Sequence, residues 1–250
     1  MNLTAGLNLL GAQFLDVGES DVAIATIAKL SGQATYNEDG DPQTELRVWN
    51  GAGYAKYEWT GDLSKDNPDV AAAFAEDFPG ADTGAYDNLF FYENEPTSTP
   101  ISVGTGFWIW ASDTVAKAVT FAGEVPSTNN NVTISLAPGL NLVSYPWPVS
   151  APLASIKLTG QATYNEDGDP QTELRVWNGA GYAKYEWTGD LSKDNPDVAA
   201  AFAEDLPGAD TGAYDNVFFY ENEPTDTSIP IGTGFWIWAS GSGSIVFSHP

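Results

Sequence analysis

Sliding the sequence by 128 positions lays Gln33–Ser112 over Gln161–Ser240 without a gap, and only six of the eighty pairs differ. These are Phe78/Leu206, Leu89/Val217, Ser98/Asp226, Pro100/Ser228, Ser102/Pro230 and Val103/Ile231. Two copies of one pattern should reach one fold, because every local preference points to the same global answer twice. The period is the size of a domain, which separates this chain from solenoids built on shorter units. The flanks diverge more: "GLNLLGAQFLDVGES" opens the first copy where "GLNLVSYPWPVSAPL" opens the second, and "VTFAG" closes the first where "IVFS" closes the second. The expected organisation is a β repeat domain over 1–123, a polar, Pro-bearing linker over 124–130 and a second repeat domain over 131–250.

Within each copy the local pattern is mostly β. Leu46 and Val48 alternate with Arg47, and Tyr57 and Trp59 alternate with Lys56 and Glu58, the period of two that marks half-buried strands. Between them "NGAG" supplies the Gly and Asn of a hairpin connection. "NLFFYEN", "GTGFWIWAS" and "AVTFAG" add strands, and "VTISLA" and "LNLVSYP" open the second copy. One segment breaks the pattern: "NPDVAAAFAED" places Asn67 as N-cap, Pro68 at the first helical position and Val70 and Phe74 on one face. The fold class expected is mainly β: two tandem small β-sandwiches or partly open barrels, each with one short helical insert.

With 13% aromatic residues the chain has the means to build cores, yet it carries 34 Asp and Glu against nine Lys and Arg, a net charge of −25. The first repeated body holds fourteen acids and the second fifteen, each with three bases. Such a field repels nucleic acid and anionic membrane, so neither is expected as a partner. There is no Cys, hence no disulfide and no thiolate chemistry. No apolar run approaches a membrane span, and the N-terminal residues lack the basic segment of a secretory signal.

"LAPGLNLVSYPWPV", "RVWNGAGYAKYEW", "IGTGFWIWAS" and "VTFAG" together resemble a repeat domain of secreted and surface proteins of bacteria, in which a Gly-x-Asn-Leu strand precedes a Trp-x-Gly-x-x-Tyr hairpin and a Gly-x-Gly-Phe-Trp strand. The resemblance implies an extracellular or cell-surface β scaffold and no particular activity. Residues 60–86, which carry the helix, depart from that pattern.

Several groups are candidates for chemistry. "NEDGDPQTE" gathers oxygen ligands in both copies, so Asp39, Asp41 and Glu45, and Asp167, Asp169 and Glu173, form a candidate calcium loop, against the plain alternative of a solvated acidic turn. No cofactor is otherwise required. The single His, His249, stands next to the end of the sequence, and no nucleophile, base or phosphate loop is recognisable, so an enzyme is not expected. Trp49, Tyr54 and Trp59, with Trp177, Tyr182 and Trp187, are candidate ligand aromatics for a polysaccharide, against the alternative that they fill cores and interfaces. Asn2 and Asn131 begin glycosylation sequons.

The expected function is that of an extracellular structural protein that assembles with itself, head to tail, into a filament or surface layer; a carbohydrate-binding or adhesive module is the alternative. The first reading rests on where the copies differ. Copy two has a full leading strand, "NVTISLAPGLNL", whereas copy one starts at "MNLTAGLNL". An uncovered sheet edge invites pairing. The expected joint therefore brings Asn2, Leu3, Leu7 and Leu9 of one copy of the chain to Ile245, Val246 and Phe247 of another, in a heterologous contact that does not close.

Overall fold

A computed structural model of the chain describes residues 3, 5–14, 29–31, 36–37, 39–77, 83–93, 95–97, 101–111, 118–120, 124–126, 131–205, 211–221 and 223–248. The chain divides into two compact units. Unit 1 comprises Met1–Val103 and Phe107–Glu124; unit 2 comprises Gly104–Gly106 and Val125–Pro250.

Unit 1 contains β1 (Gly6–Gly11), β2 (Lys29–Ser31), β3 (Thr44–Trp49), β4 (Tyr54–Trp59), helices α1 (Leu63–Asp66) and α2 (Pro68–Asp77), then β5 (Phe90–Tyr92), β6 (Glu95–Thr97), β7 (Gly106–Ala111) and β8 (Ala118–Thr120). The main sheet has the order β1-β7-β3-β4-β5-β6, and β2 pairs with β8 apart from it. In unit 2 the order of elements is β9 (Val132–Leu136), β10 (Gly139–Ser144), β11 (Ala151–Pro152), β12 (Ile156–Thr159), β13 (Glu173–Trp177), β14 (Tyr182–Trp187), α3 (Leu191–Asp194), α4 (Pro196–Asp205), β15 (Phe218–Tyr220), β16 (Glu223–Pro224), β17 (Ser228–Ile229), β18 (Gly234–Ala239) and β19 (Gly243–Phe247). Its main sheet, β10-β18-β13-β14-β15-β16, repeats the order of unit 1, while its smaller sheet has three strands, β12-β19-β9.

The alternation read from the sequence sets the layers. In unit 2, Leu174, Phe235, Ile237 and Val143 from the main sheet face Leu136, Ile156, Leu158, Ile245 and Phe247 from the smaller sheet, and all belong to one buried cluster. Two antiparallel sheets packed face to face are a β-sandwich. No described sheet closes into a barrel, and the mainly β fold expected is found, its packed sheets consistent with a sandwich. The corresponding core of unit 1 is built from Leu3, Leu10, Leu46, Trp59, Phe107 and Ile109.

Two local devices repeat. Gly6 and Gly139 open their strands at φ +87° and +92°, a left-handed backbone that suits Gly. Two residues on, Asn8 donates from Nδ2 to the Gly6 carbonyl at 3.0 Å, and Asn141 does the same to Gly139, which accounts for the Gly-x-Asn-Leu spacing. The hairpin loops are closed by Asn50 and Asn178, whose Oδ1 atoms accept from the amides of Gly53 at 2.9 Å and Gly181 at 2.8 Å.

Candidate functional site

The outer face of the main sheet, opposite the sandwich core, carries the functional interest. The β3–β4 hairpin pairs Trp49 with Tyr54, Arg47 with Lys56 and Glu45 with Glu58. Directly paired residues share a face, so two like-charge pairs and an aromatic pair stand in a row. On the other side of β3, Trp108 lies opposite Arg47 and Trp110 opposite Glu45. Unit 2 repeats the arrangement with Trp177, Tyr182, Arg175, Lys184, Glu173 and Glu186, flanked by Trp236 and Trp238.

Like charges placed directly across a sheet destabilise it, and each carboxylate here has a partner. Arg47 donates from Nε to Glu45 at 2.7 Å, and Arg175 to Glu173 at 2.8 Å. Tyr36 donates its hydroxyl to Glu58 at 2.8 Å, and Tyr164 to Glu186 at 2.7 Å. Burial first, then the neighbouring carboxylate, hold both phenols far above the usual tyrosine range. Lys56 and Lys184 are exposed and make no ion pair among the described residues. The aromatics at the hairpin end are fixed: Trp49 meets Tyr54 edge to face at 5.2 Å, and Trp177 meets Tyr182 at 5.1 Å. Trp236 also donates from Nε1 to the Tyr182 hydroxyl at 3.2 Å.

The helical insert covers the far end of this face. Phe74 of α2 stacks on Phe91 of β5 at 5.3 Å and meets Tyr36 edge-on at 5.4 Å; Phe202, Phe219 and Tyr164 do the same in unit 2. Asn67 caps α2 as expected, its Oδ1 accepting from the Val70 amide at 3.4 Å. The same side chain donates to the Asn37 carbonyl at 2.8 Å and so ties the helix to the acidic loop. Ser64 donates from its amide and hydroxyl to the two oxygens of Asp87, at 2.8 and 2.5 Å.

The acidic loop is closed by its own hydrogen bonds. Asn37 Oδ1 accepts from the amides of Asp39 at 3.0 Å and Asp41 at 2.7 Å, and the Asp41 carboxylate accepts from Asn37 Nδ2 at 3.1 Å. Asn165, Asp167 and Asp169 repeat the pattern. Glu45 and Glu173 sit on the next strand, ion-paired to their own arginines. Among the described residues no three acidic or His side chains converge as a metal site. The candidate calcium ligands are thus divided between a turn and a sheet face.

Two of the candidate ligand aromatics fall elsewhere. Trp59 and Trp187 are 2% and 1% exposed and pack on Phe90 and Phe218 inside the sandwich. The reason is parity: Trp59 is five residues from Tyr54 on one strand, so it points to the opposite face. Trp49, Tyr54, Trp177 and Tyr182 remain on the outer face.

Of the expected joint residues, Asn2 lies outside the described residues, as does His249. Leu3 and Leu9 are buried, and Leu3 belongs to the unit 1 core. Leu7 is exposed. Ile245 and Phe247 are wholly buried, and β19 is paired with β12 on one edge and with β9 on the other, so this strand has no free ladder to offer. Asn131 is exposed.

Residue spacing could have located the opposed charges: counting back from "NGAG" pairs Glu45 with Glu58. Nothing local in the sequence signals the Tyr36–Glu58 or Ser64–Asp87 bonds, which join residues 22 and 23 positions apart.

Among the described residues no helix is long and apolar enough to cross a membrane. No family model matches the sequence, and no curated protein matches it significantly. One solved structure, the major capsid protein P2 from bacteriophage PM2, aligns over 96% of this chain and 95% of its own at 10% identity, with a TM-score of 0.24. A likeness that slight carries no argument about this chain.

Proposed function

We propose that this chain is a structural protein that adds copies of itself end to end, through sheet edges, into an extracellular filament or surface layer. One observation carries the reading. In unit 2 the strand β19 lies between β12 and β9, whereas its counterpart β8 in unit 1 pairs with β2 and has no strand on its other edge among the described residues. A free edge presents a row of amide and carbonyl groups ready to take another strand.

The expected donor changes with the fold. Since β19 is enclosed, the strands unit 2 can present are the outer edges of β9 and β12. The sequence of β9, "VTISL", is the strand that completes this sheet in unit 2, and it supports a strand of that kind as the partner of β8 on the edge that has no strand among the described residues. The extracellular setting rests on the resemblance to secreted and surface repeat domains.

The charge makes assembly conditional. Subunits of charge −25 repel one another, and salt or divalent cations relieve this. The test is particle size by light scattering in rising NaCl and CaCl2, with and without a synthetic peptide spanning residues 131–138. Assembly should grow with salt and be blocked by the peptide. Growth that the peptide leaves untouched would show that the β8 edge is not the joint.

A further inference from the structure

We propose that the outer hairpin face of each unit is a binding site for a neutral hexose polysaccharide, giving two sites per chain. The inference does not depend on assembly, because it concerns the sheet face and not its edges.

The unit 2 site shows the parts most fully. At one end stand Tyr182, 41% exposed, and Trp177; at the other stands Trp238, 45% exposed. Trp177 and Glu173, the residue opposite Trp238, lie four positions apart on β13, about 13 Å of strand. Between the aromatic ends lie Glu173, Arg175 and Lys184. This length suits an oligosaccharide better than a single sugar. Amphipathic aromatic rings held rigid supply contact area at little cost in entropy. Tyr182 is held by both Trp177 and the Trp236 hydrogen bond.

Charge complementarity selects the ligand class. Two carboxylates and two cations make the face electrically neutral within a unit that is otherwise strongly acidic. A polyanion would meet the repulsion of the whole chain. Sugar hydroxyls both donate and accept, and a face with carboxylate oxygens beside an ammonium that has no ion pair among the described residues, Lys56 or Lys184, offers both roles. The same constellation stands in both copies, whose six differences all fall outside it.

The experiment is isothermal titration of the full chain with hexasaccharides of β-1,4-glucose, β-1,3-glucose and β-1,4-mannose, and with a uronate hexamer of equal length. At least one neutral hexamer should bind with two sites per chain, with little dependence on salt. Tyr54→Ala with Tyr182→Ala should weaken binding about tenfold or more, the loss expected on truncating an aromatic anchor. Tyr54→Phe with Tyr182→Phe should retain most of it, and an unchanged melting temperature shows that the variants are folded. Binding of the uronate alone, no binding of any neutral hexamer, or equal binding by the Ala variant would overturn the proposal. A change in particle size without a change in glycan binding would assign the face to contacts between copies and overturn it too.

Discussion

Gly6–Phe14 and Gly139–Trp147 begin with the same Gly-Leu-Asn-Leu and then part company. In unit 2 the strand is followed by Tyr145 and Trp147, each 1% exposed, which pack on each other at 5.2 Å and set Tyr145 against Phe247 at 5.5 Å. In unit 1 the position matching Tyr145 is Ala12, fully buried. The bodies that follow agree almost residue for residue, down to the hydrogen bonds of Asn67 and Asn195. The two copies thus differ most where strands enter and leave the sandwich and agree through the body between. This is the pattern expected of modules that differ in what they join.

The strongest way to sharpen the comparison is to remove the same core side chain from each unit. Trp59→Ala and Trp187→Ala should each cost about 3–5 kcal/mol, the range for a buried aromatic, and the two costs should agree in denaturant unfolding. Unequal costs would show that the bodies are not energetically equivalent. Tyr145→Ala should cost about 3 kcal/mol or more, a loss with no counterpart in unit 1, where Ala12 already stands.

Next in size are the polar ties of the insert. Asn67→Ala and Asn195→Ala remove a helix cap together with the tether to the acidic loop. Each should destabilise by about 1–2 kcal/mol and increase amide exchange in its own helix. A neutral effect in both would mean that the aromatic contacts of Phe74 and Phe202 alone hold the insert.

Alkaline pH tests the matched phenols. The fold favours the protonated forms of Tyr36 and Tyr164, whose pKa values lie above that of an unfolded tyrosine, about 10. Their contribution is complete below pH 10 and declines as pH rises through that value toward the folded pKa, because only the unfolded state releases its protons there. Melting temperature should therefore fall more steeply above pH 10 in the parent than in Tyr36→Phe with Tyr164→Phe. The smallest effect is expected at Tyr214, whose buried hydroxyl has no hydrogen-bond partner among the described residues. Tyr214→Phe should leave stability unchanged or raise it by under about 1 kcal/mol.

Strand parity was legible from the sequence because one face of each strand is apolar: Leu46 and Val48 against Arg47 read correctly, and so did the capped start of α2 at Asn67 and Pro68. Parity also contains the placement of Trp59, which is five residues from Tyr54 on one strand and faces the opposite way; residue type alone does not report this. The run of oxygen ligands in "NEDGDPQTE" does not itself report that the next strand begins at Thr44, which carries Glu45 out of the loop and onto Arg47. Position in the sequence makes the C-terminal strand look available as a donor. Whether an edge is free depends on long-range pairing, here β19 with β12 and β9, and no local pattern reports that.

The central claim is that copies of this chain join through the edge of β8 that has no partner strand among the described residues. Negative-stain electron microscopy of the full chain in raised NaCl and CaCl2, with and without the 131–138 peptide, tests this most directly. Linear particles that shorten or vanish when the peptide is added are the expected result. Uniform single particles across all salt and calcium conditions, or filaments that grow unchanged with the peptide present, would contradict it.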